Sequence, residues 1–177
     1  MNDLRTRIKL LRNELDSDSV KNFSNIITKK VLSLDKIKDL STFMVYKSFK
    51  NEVATQDIID GLISLGKTVC YPITFESEMV AGLPLSSEFT KSKLGVLEPS
   101  KYCVLDKVDA VIVPLIACDN NKNRIGFGKG YYDKFLSTHP ALKIGVCYDF
   151  QVVENITPSP WDVPLDIIIT QSKIIGD

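Results

Sequence analysis

The run Ala110-Val-Ile-Val-Pro-Leu115, introduced by Asp109, is apolar at every position and shows no alternation with polar residues. A strand with one wet face alternates; an unbroken apolar run fits a strand covered on both faces, as in a parallel sheet. Working outward, Lys143 to Tyr148 and Asp166 to Thr170 read as further buried strands. Thr42 to Tyr46 and Thr68 to Tyr71 are earlier ones, the latter ended by Pro72. Between them lie helical stretches. One is N-capped at Thr55 and closed by Gly66, and another runs from about Tyr131 to Thr138. At the start, Leu4, Ile8, Leu11 and Leu15 form one apolar stripe flanked by Arg5, Lys9 and Arg12. A capping cluster at Asp16 to Ser19 then precedes a second amphipathic helix through Val20, Phe23, Ile27 and Val31. Ile73 to Pro99 is mixed, a strand or two with turns at Gly82–Pro84 and Glu98–Pro99. The expectation is an α/β fold: a layered, mostly parallel sheet with flanking helices and a helical N-terminal segment, in a single domain over residues 1–177.

The bulk properties exclude more than they identify. The chain has 177 residues, 44% hydrophobic and 25% charged, which rules out a disordered chain, a collagen-like fibre and a small disulfide scaffold. Lys plus Arg is 22 and Asp plus Glu is 22, so no global charge favours nucleic acid or an anionic membrane. The first residues lack an uninterrupted apolar core, which argues against a signal peptide. The longest mainly apolar run, Ala110 to Cys118, falls short of the ~20 residues of a membrane helix. Of the four cysteines, at 70, 103, 118 and 147, none forms a CxxC pair, and Cys70 and Cys147 read as buried and reduced. With His139 as the one histidine, a histidine-based triad or multi-histidine metal site is excluded by counting. A cytoplasmic monomer is expected.

The chemistry concentrates in Asn123-Arg-Ile-Gly-Phe-Gly-Lys-Gly-Tyr-Tyr-Asp133. Three of the nine glycines stand at 126, 128 and 130, after a buried strand and before a helix. Glycine lets successive N–H groups turn toward one anion, and the helix N-terminus adds free donors. Arg124 and Lys129 bring two cations, so the loop suits a polyphosphate, although a plain structural turn remains an open reading. It is neither common phosphate motif: Tyr131 stands where GxGxxG needs glycine, and Asn123 and Gly130 break the P-loop pattern. Asp133, in the first helical turn, reads either as a dipole-compensating acid or as a magnesium ligand. Asp166, opening the last strand, reads as a strand-edge acid or as a second carboxylate.

Arg124 to Asp133, with Val113-Pro114 and Asp119 upstream, resembles the signature of the 5-formyltetrahydrofolate cyclo-ligase (5,10-methenyltetrahydrofolate synthetase) family. Weaker likenesses cover most of the chain: Leu4-Arg5, Tyr46 to Thr55 with Glu52-Val53, Gly95 to Pro99, and Asp162 to Thr170. The resemblance implies an ATP- and Mg2+-dependent ligase that converts 5-formyltetrahydrofolate to 5,10-methenyltetrahydrofolate with release of ADP and phosphate. The formyl oxygen takes the γ-phosphoryl group, N10 attacks and phosphate leaves. Carried over by position, Arg5, Arg124, Gly126, Phe127, Gly128, Lys129, Gly130, Tyr131 and Tyr132 would hold ATP, with Lys129 and Arg124 catalytic. Glu52, Tyr131 and Arg5 would meet the folate, and Asp133 and Asp166 would hold magnesium. Three positions depart from the family: Met1 for a lysine, Phe127 for an arginine found in some members, and Trp161 for a common histidine. The alternatives are another phosphate-handling α/β enzyme, of sugar-phosphate isomerase or acyl-transfer type, and a non-catalytic folate-binding relative.

Overall fold

The computed structural model describes residues 2–176; Met1 lies outside them. In chain order the elements are α1 (Asn2–Asn13), α2 (Ser17–Leu32), β1 (Thr42–Val45), α3 (Gln56–Ser64), β2 (Thr68–Thr74), β3 (Met79–Pro84), β4 (Phe89–Lys91), β5 (Leu97–Pro99) and β6 (Tyr102–Leu105). Then follow β7 (Ala110–Val113), β8 (Ala117–Asp119), β9 (Arg124–Ile125), α4 (Tyr131–Thr138), β10 (Leu142–Val146), β11 (Val152–Val153), β12 (Ile167–Ile169) and β13 (Ile174–Ile175). An eight-stranded sheet runs β13-β12-β10-β7-β1-β2-β3-β6. Its centre, from β12 to β2, is parallel; β13, β3 and β6 are antiparallel additions at the two edges.

The unbroken apolar run at 110–113 is β7, buried at all four positions in the middle of this sheet. Alternate residues serve two cores. Phe43, Val45, Ile112 and Ile144 pack under α2 and α3 with Ile27, Val31, Ile58 and Leu62. Met44, Val111, Val113 and Ile168 pack under Phe135 and Leu136 of α4 on the other face. Both faces are therefore covered, as a parallel sheet requires.

The helix punctuation follows the sequence except at Thr55. Asp16 caps α2 by accepting from the Ser19 N–H (2.7 Å). Gly66, at φ +75°, ends α3, and Lys67 N–H reaches back to the Leu62 carbonyl. Thr55 occupies the N-cap position of α3 but makes no side-chain cap. Its buried hydroxyl instead donates to the Tyr46 carbonyl (2.6 Å) and accepts from the Ser48 N–H (3.1 Å), tying the end of β1 to the start of α3.

Three sequence expectations are corrected. Pro72 does not end its strand: β2 continues to Thr74, parallel to β1 through Cys70 and antiparallel to β3 from Tyr71. Gly82–Pro84 is not a turn but the end of β3. Gly82 is required there because a Cβ would lie 2.5 Å from Ile73 Cγ1 and 3.2 Å from Tyr102 Cγ. Glu98–Pro99 lies within β5, whose hairpin with β4 turns earlier, at Gly95 (φ +79°).

Candidate active site

A cavity of about 1040 Å³ opens beyond the carboxyl ends of β1 and β7, where Tyr46 and Pro114 reach its wall. This is the crevice at which open parallel sheets place ligands. The glycine loop forms one side. Gly128 (φ +93°) and Gly130 (φ +70°) both adopt the left-handed conformation, and Gly130 is the N-cap of α4. Arg5 of α1 crosses to the loop, where its Nε donates to the Gly126 carbonyl (3.0 Å). Phe127 is half exposed, with Lys9 Nζ 5.5 Å and the Arg12 guanidinium 5.9 Å from its ring centroid. Lys129 is exposed on the cavity wall.

Beneath the loop, buried Arg124 meets Asp133 of α4, with Nη2 2.6 Å from Oδ1. The same oxygen accepts from the Val163 N–H (3.1 Å), joining strand β9, helix α4 and the segment before β12. The hairpin that carries Arg124 is held by Asp119, fully buried. Its carboxylate accepts from Asn123 N–H (2.9 Å), Asn123 Nδ2 (3.0 Å) and Ile156 N–H (2.9 Å). Asp119→Ala would leave buried donors without acceptors, so urea denaturation is expected to show about 1–3 kcal/mol lost. An unchanged unfolding midpoint would contradict that reading.

Glu52, in the loop between β1 and α3, also lines the cavity and is buried. Its Oε2 accepts from the Phe49 N–H (2.8 Å), and Oε1 lies 3.7 Å from Arg12 Nη1. Burial raises its pKa above the ordinary 4.5, against the lowering effects of the Phe49 N–H and Arg12. The folded state thus holds this proton more tightly than the unfolded chain. Its stabilising contribution is full below about 4.5 and is lost as pH rises through the raised value. Glu52→Gln, which mimics the protonated acid, is therefore expected to gain unfolding free energy relative to wild type between that range and neutrality. A difference that stays flat with pH would contradict this. Burial, then the charge of Glu52, likewise pushes the Tyr46 and Tyr132 phenols above their usual range.

The structure gathers Arg5, Glu52, Arg124, Gly126, Phe127, Gly128, Lys129, Gly130, Tyr131, Tyr132 and Asp133 on this one cavity. The Tyr131 hydroxyl donates to the Phe75 carbonyl (2.8 Å). Asp166 is not brought there, which corrects the expectation that it would join Asp133. It stands just before β12, at the amino ends of the parallel strands, whereas the crevice lies beyond their carboxyl ends. Its Oδ2 accepts from Lys143 N–H (2.8 Å) and pairs with Lys143 Nζ (2.7 Å). Among the described residues no group of three or more His, Cys, Asp or Glu is placed to hold a metal ion. His139 stacks on Phe135 with ring centroids 4.0 Å apart, away from the cavity.

Two features escape the sequence reading. Arg12 is buried although it flanks the apolar stripe of α1, while Leu11 of that stripe is exposed. The helix is rotated so that Arg5, Ile8 and Arg12 face inward, because Glu52 and the glycine loop offer Arg12 and Arg5 partners. Glu98 is the second. It is buried on the cavity wall, its Oε1 accepting from the Thr74 hydroxyl (2.6 Å) and N–H (3.2 Å). The Nε groups of Arg12 and Arg124 are buried and find no acceptor among the described residues. No helix among these residues is long and apolar enough to cross a membrane.

This arrangement has known counterparts. The family model of 5-formyltetrahydrofolate cyclo-ligase matches residues 1–171. A Mycoplasma genitalium protein named 5-formyltetrahydrofolate cyclo-ligase is 34% identical over 95% of this chain and 96% of its own. The Escherichia coli K12 protein of that name is 33% identical over 75% of this chain and 79% of its own. The NMR structure of Aquifex aeolicus 5,10-methenyltetrahydrofolate synthetase superposes with a TM-score of 0.87 at 28% identity, covering 98% of this chain and 91% of that one. The Mycoplasma pneumoniae synthetase gives 0.78 at 26% identity, over 96% and 98%. With a family match of this extent and a sheet, glycine loop and cavity to accompany it, the chain belongs to the 5-formyltetrahydrofolate cyclo-ligase family, and is thereby a ligase.

Proposed function

We propose that the protein converts 5-formyltetrahydrofolate to 5,10-methenyltetrahydrofolate at the expense of ATP, releasing ADP and phosphate. The observation that carries this reading is one cavity lined by two unlike groups, a glycine loop with Arg124 and Lys129 and a buried Glu52. The loop suits a polyphosphate. Glu52 offers a carboxylate to N–H donors such as those of a pterin. A generic sugar-phosphate or acyl-transfer site does not need the full Gly128-Lys-Gly-Tyr-Tyr-Asp133 run, and a non-catalytic relative has no need to keep Lys129, Arg124, Asp133 and Glu52 together.

In this account the γ-phosphoryl group passes from ATP to the formyl oxygen, converting a poor leaving group into a good one. N10 attacks the activated formyl carbon, the C–O bond breaks, phosphate departs with the former formyl oxygen, and N10 loses its proton to solvent. Phosphoryl transfer of this kind rests on positioning and charge neutralisation more than on a protein nucleophile. Arg5, Gly126, Phe127, Gly128, Gly130, Tyr131 and Tyr132 would border the nucleotide, and Glu52, Tyr131 and Arg5 the folate. Lys129 and Arg124 would meet charge on the phosphates. Asp133 fits one carboxylate of a phosphate-bound magnesium, which usually takes one or two protein carboxylates and keeps several waters. Such an ion supplies neutralisation of phosphate charge. The protein is proposed to act as a single cytoplasmic domain and a monomer.

The test is to mix the protein with 5-formyltetrahydrofolate, magnesium and ATP and follow the near-ultraviolet absorbance of the methenyl product. An ATP-dependent rise is expected. Its absence with folded protein would overturn the proposal.

A further inference from the structure

Trp161, the one tryptophan of the chain, is 73% exposed and borders the cavity. An indole so displayed leaves a large apolar face in water, and tryptophan is otherwise mostly covered. The other exposed aromatics lining the cavity have partners: Phe127 has Lys9 and Arg12, and Phe49 has Lys50 Nζ 5.3 Å from its ring centroid. Trp161 has no ring, cation or hydrogen-bond partner among the described residues.

Its backbone, by contrast, is firmly held. Ser159-Pro-Trp-Asp162 closes as a turn in which Asp162 N–H donates to the Ser159 carbonyl (3.0 Å). Asp162 Oδ2 accepts from the Ser159 N–H (2.7 Å). Pro160 occupies the position where its fixed φ favours such a turn. Two residues beyond Trp161, the Val163 N–H is bonded to Asp133, which stands three positions after Gly130 in the first turn of α4. The turn is thus pinned to the helix that the glycine loop opens. The partners of Glu52 are the Phe49 N–H and Arg12, not this turn.

We infer that Trp161 is the platform on which the base of the bound nucleotide stacks, an assignment that rests on the nucleotide-dependent reading proposed above. Phosphates on the loop leave the base to extend along the cavity. An indole on a held backbone offers it a π-face with only two side-chain torsions to order. Stacking of a base on an aromatic side chain is tolerant of base identity, because every base has a π-face.

Two measurements test this. Indole emission is read from a single residue here, so titration with ATP is expected to change it. Inorganic tripolyphosphate, which lacks a base, is expected to leave it unaltered at concentrations that inhibit turnover competitively with ATP. Trp161→Ala is expected to raise KM for ATP about tenfold, a factor equal to about 1.4 kcal/mol, with Trp161→Phe recovering most of it. KM for 5-formyltetrahydrofolate should rise far less. The assignment is overturned if ATP at concentrations saturating turnover leaves the emission unaltered, if tripolyphosphate reproduces the change, or if KM for the folate rises instead. An emission change with ATP in a protein that makes no methenyl product would keep Trp161 at the nucleotide and remove the ligase reading. Full ATP-dependent turnover with silent emission would do the reverse.

Discussion

Lys129→Ala is expected to keep the wild-type urea midpoint while losing roughly 10²–10³-fold in kcat, the usual loss on removing one preorganised group that meets transition-state charge. The two halves of this result have separate origins. Lys129 is exposed and lies between Gly128 and Gly130, both in left-handed conformation, so its side chain contributes little to packing. The same position puts its ammonium group on the wall that would carry the phosphates. In phosphoryl transfer the charge spreads over oxygens, and a fixed cation stabilises that distribution without reorganising. A variant with near wild-type turnover would remove Lys129 from the site. One that loses activity together with its unfolding transition would assign it a structural role instead.

Arg124→Ala should behave differently, losing stability and activity together. The guanidinium is buried and lies 2.6 Å from the Asp133 carboxylate, itself 18% exposed. Removing one partner of a buried pair leaves the other uncompensated, at a cost of about 3–5 kcal/mol. The loss also loosens the glycine loop, because Arg124 ties β9 to α4 on either side of it. Denaturant unfolding of Arg124→Ala, Asp133→Ala and the double variant checks this. The double variant should cost clearly less than the two singles combined, and simple additivity would show that the pair is not coupled.

These expectations stand on features of unequal legibility. The unalternating run at 110–113 was readable because burial on both faces is a property of composition alone. The backbone of the loop at 126–130 was readable because glycines before a helix mark positions of positive φ, which Gly128 and Gly130 adopt. The inward face of α1 was not. Apolar spacing selects Leu11, but the structure exposes Leu11 and buries Arg12 against Glu52, a partner 40 positions away that periodicity does not reveal. Gly82 looked like a turn residue because local sequence does not show that the neighbouring strands bring Ile73 and Tyr102 against it. Asp166 was drawn in by resemblance. Its place at the start of a parallel strand already pointed to the edge away from the crevice, where Lys143 holds it. Glu98, placed in a turn by reading, sits within β5 and reaches the cavity only through the β4–β5 hairpin.

If ATP activates the formyl oxygen itself, that atom leaves with the phosphate and can be followed there. The protein is given 5-formyltetrahydrofolate labelled with heavy oxygen in the formyl group, together with ATP and magnesium, and the released phosphate is examined by mass spectrometry. The label is expected in inorganic phosphate, one atom for each methenyl product formed. Methenyl product formed with unlabelled phosphate, the heavy oxygen being lost to water, would contradict it.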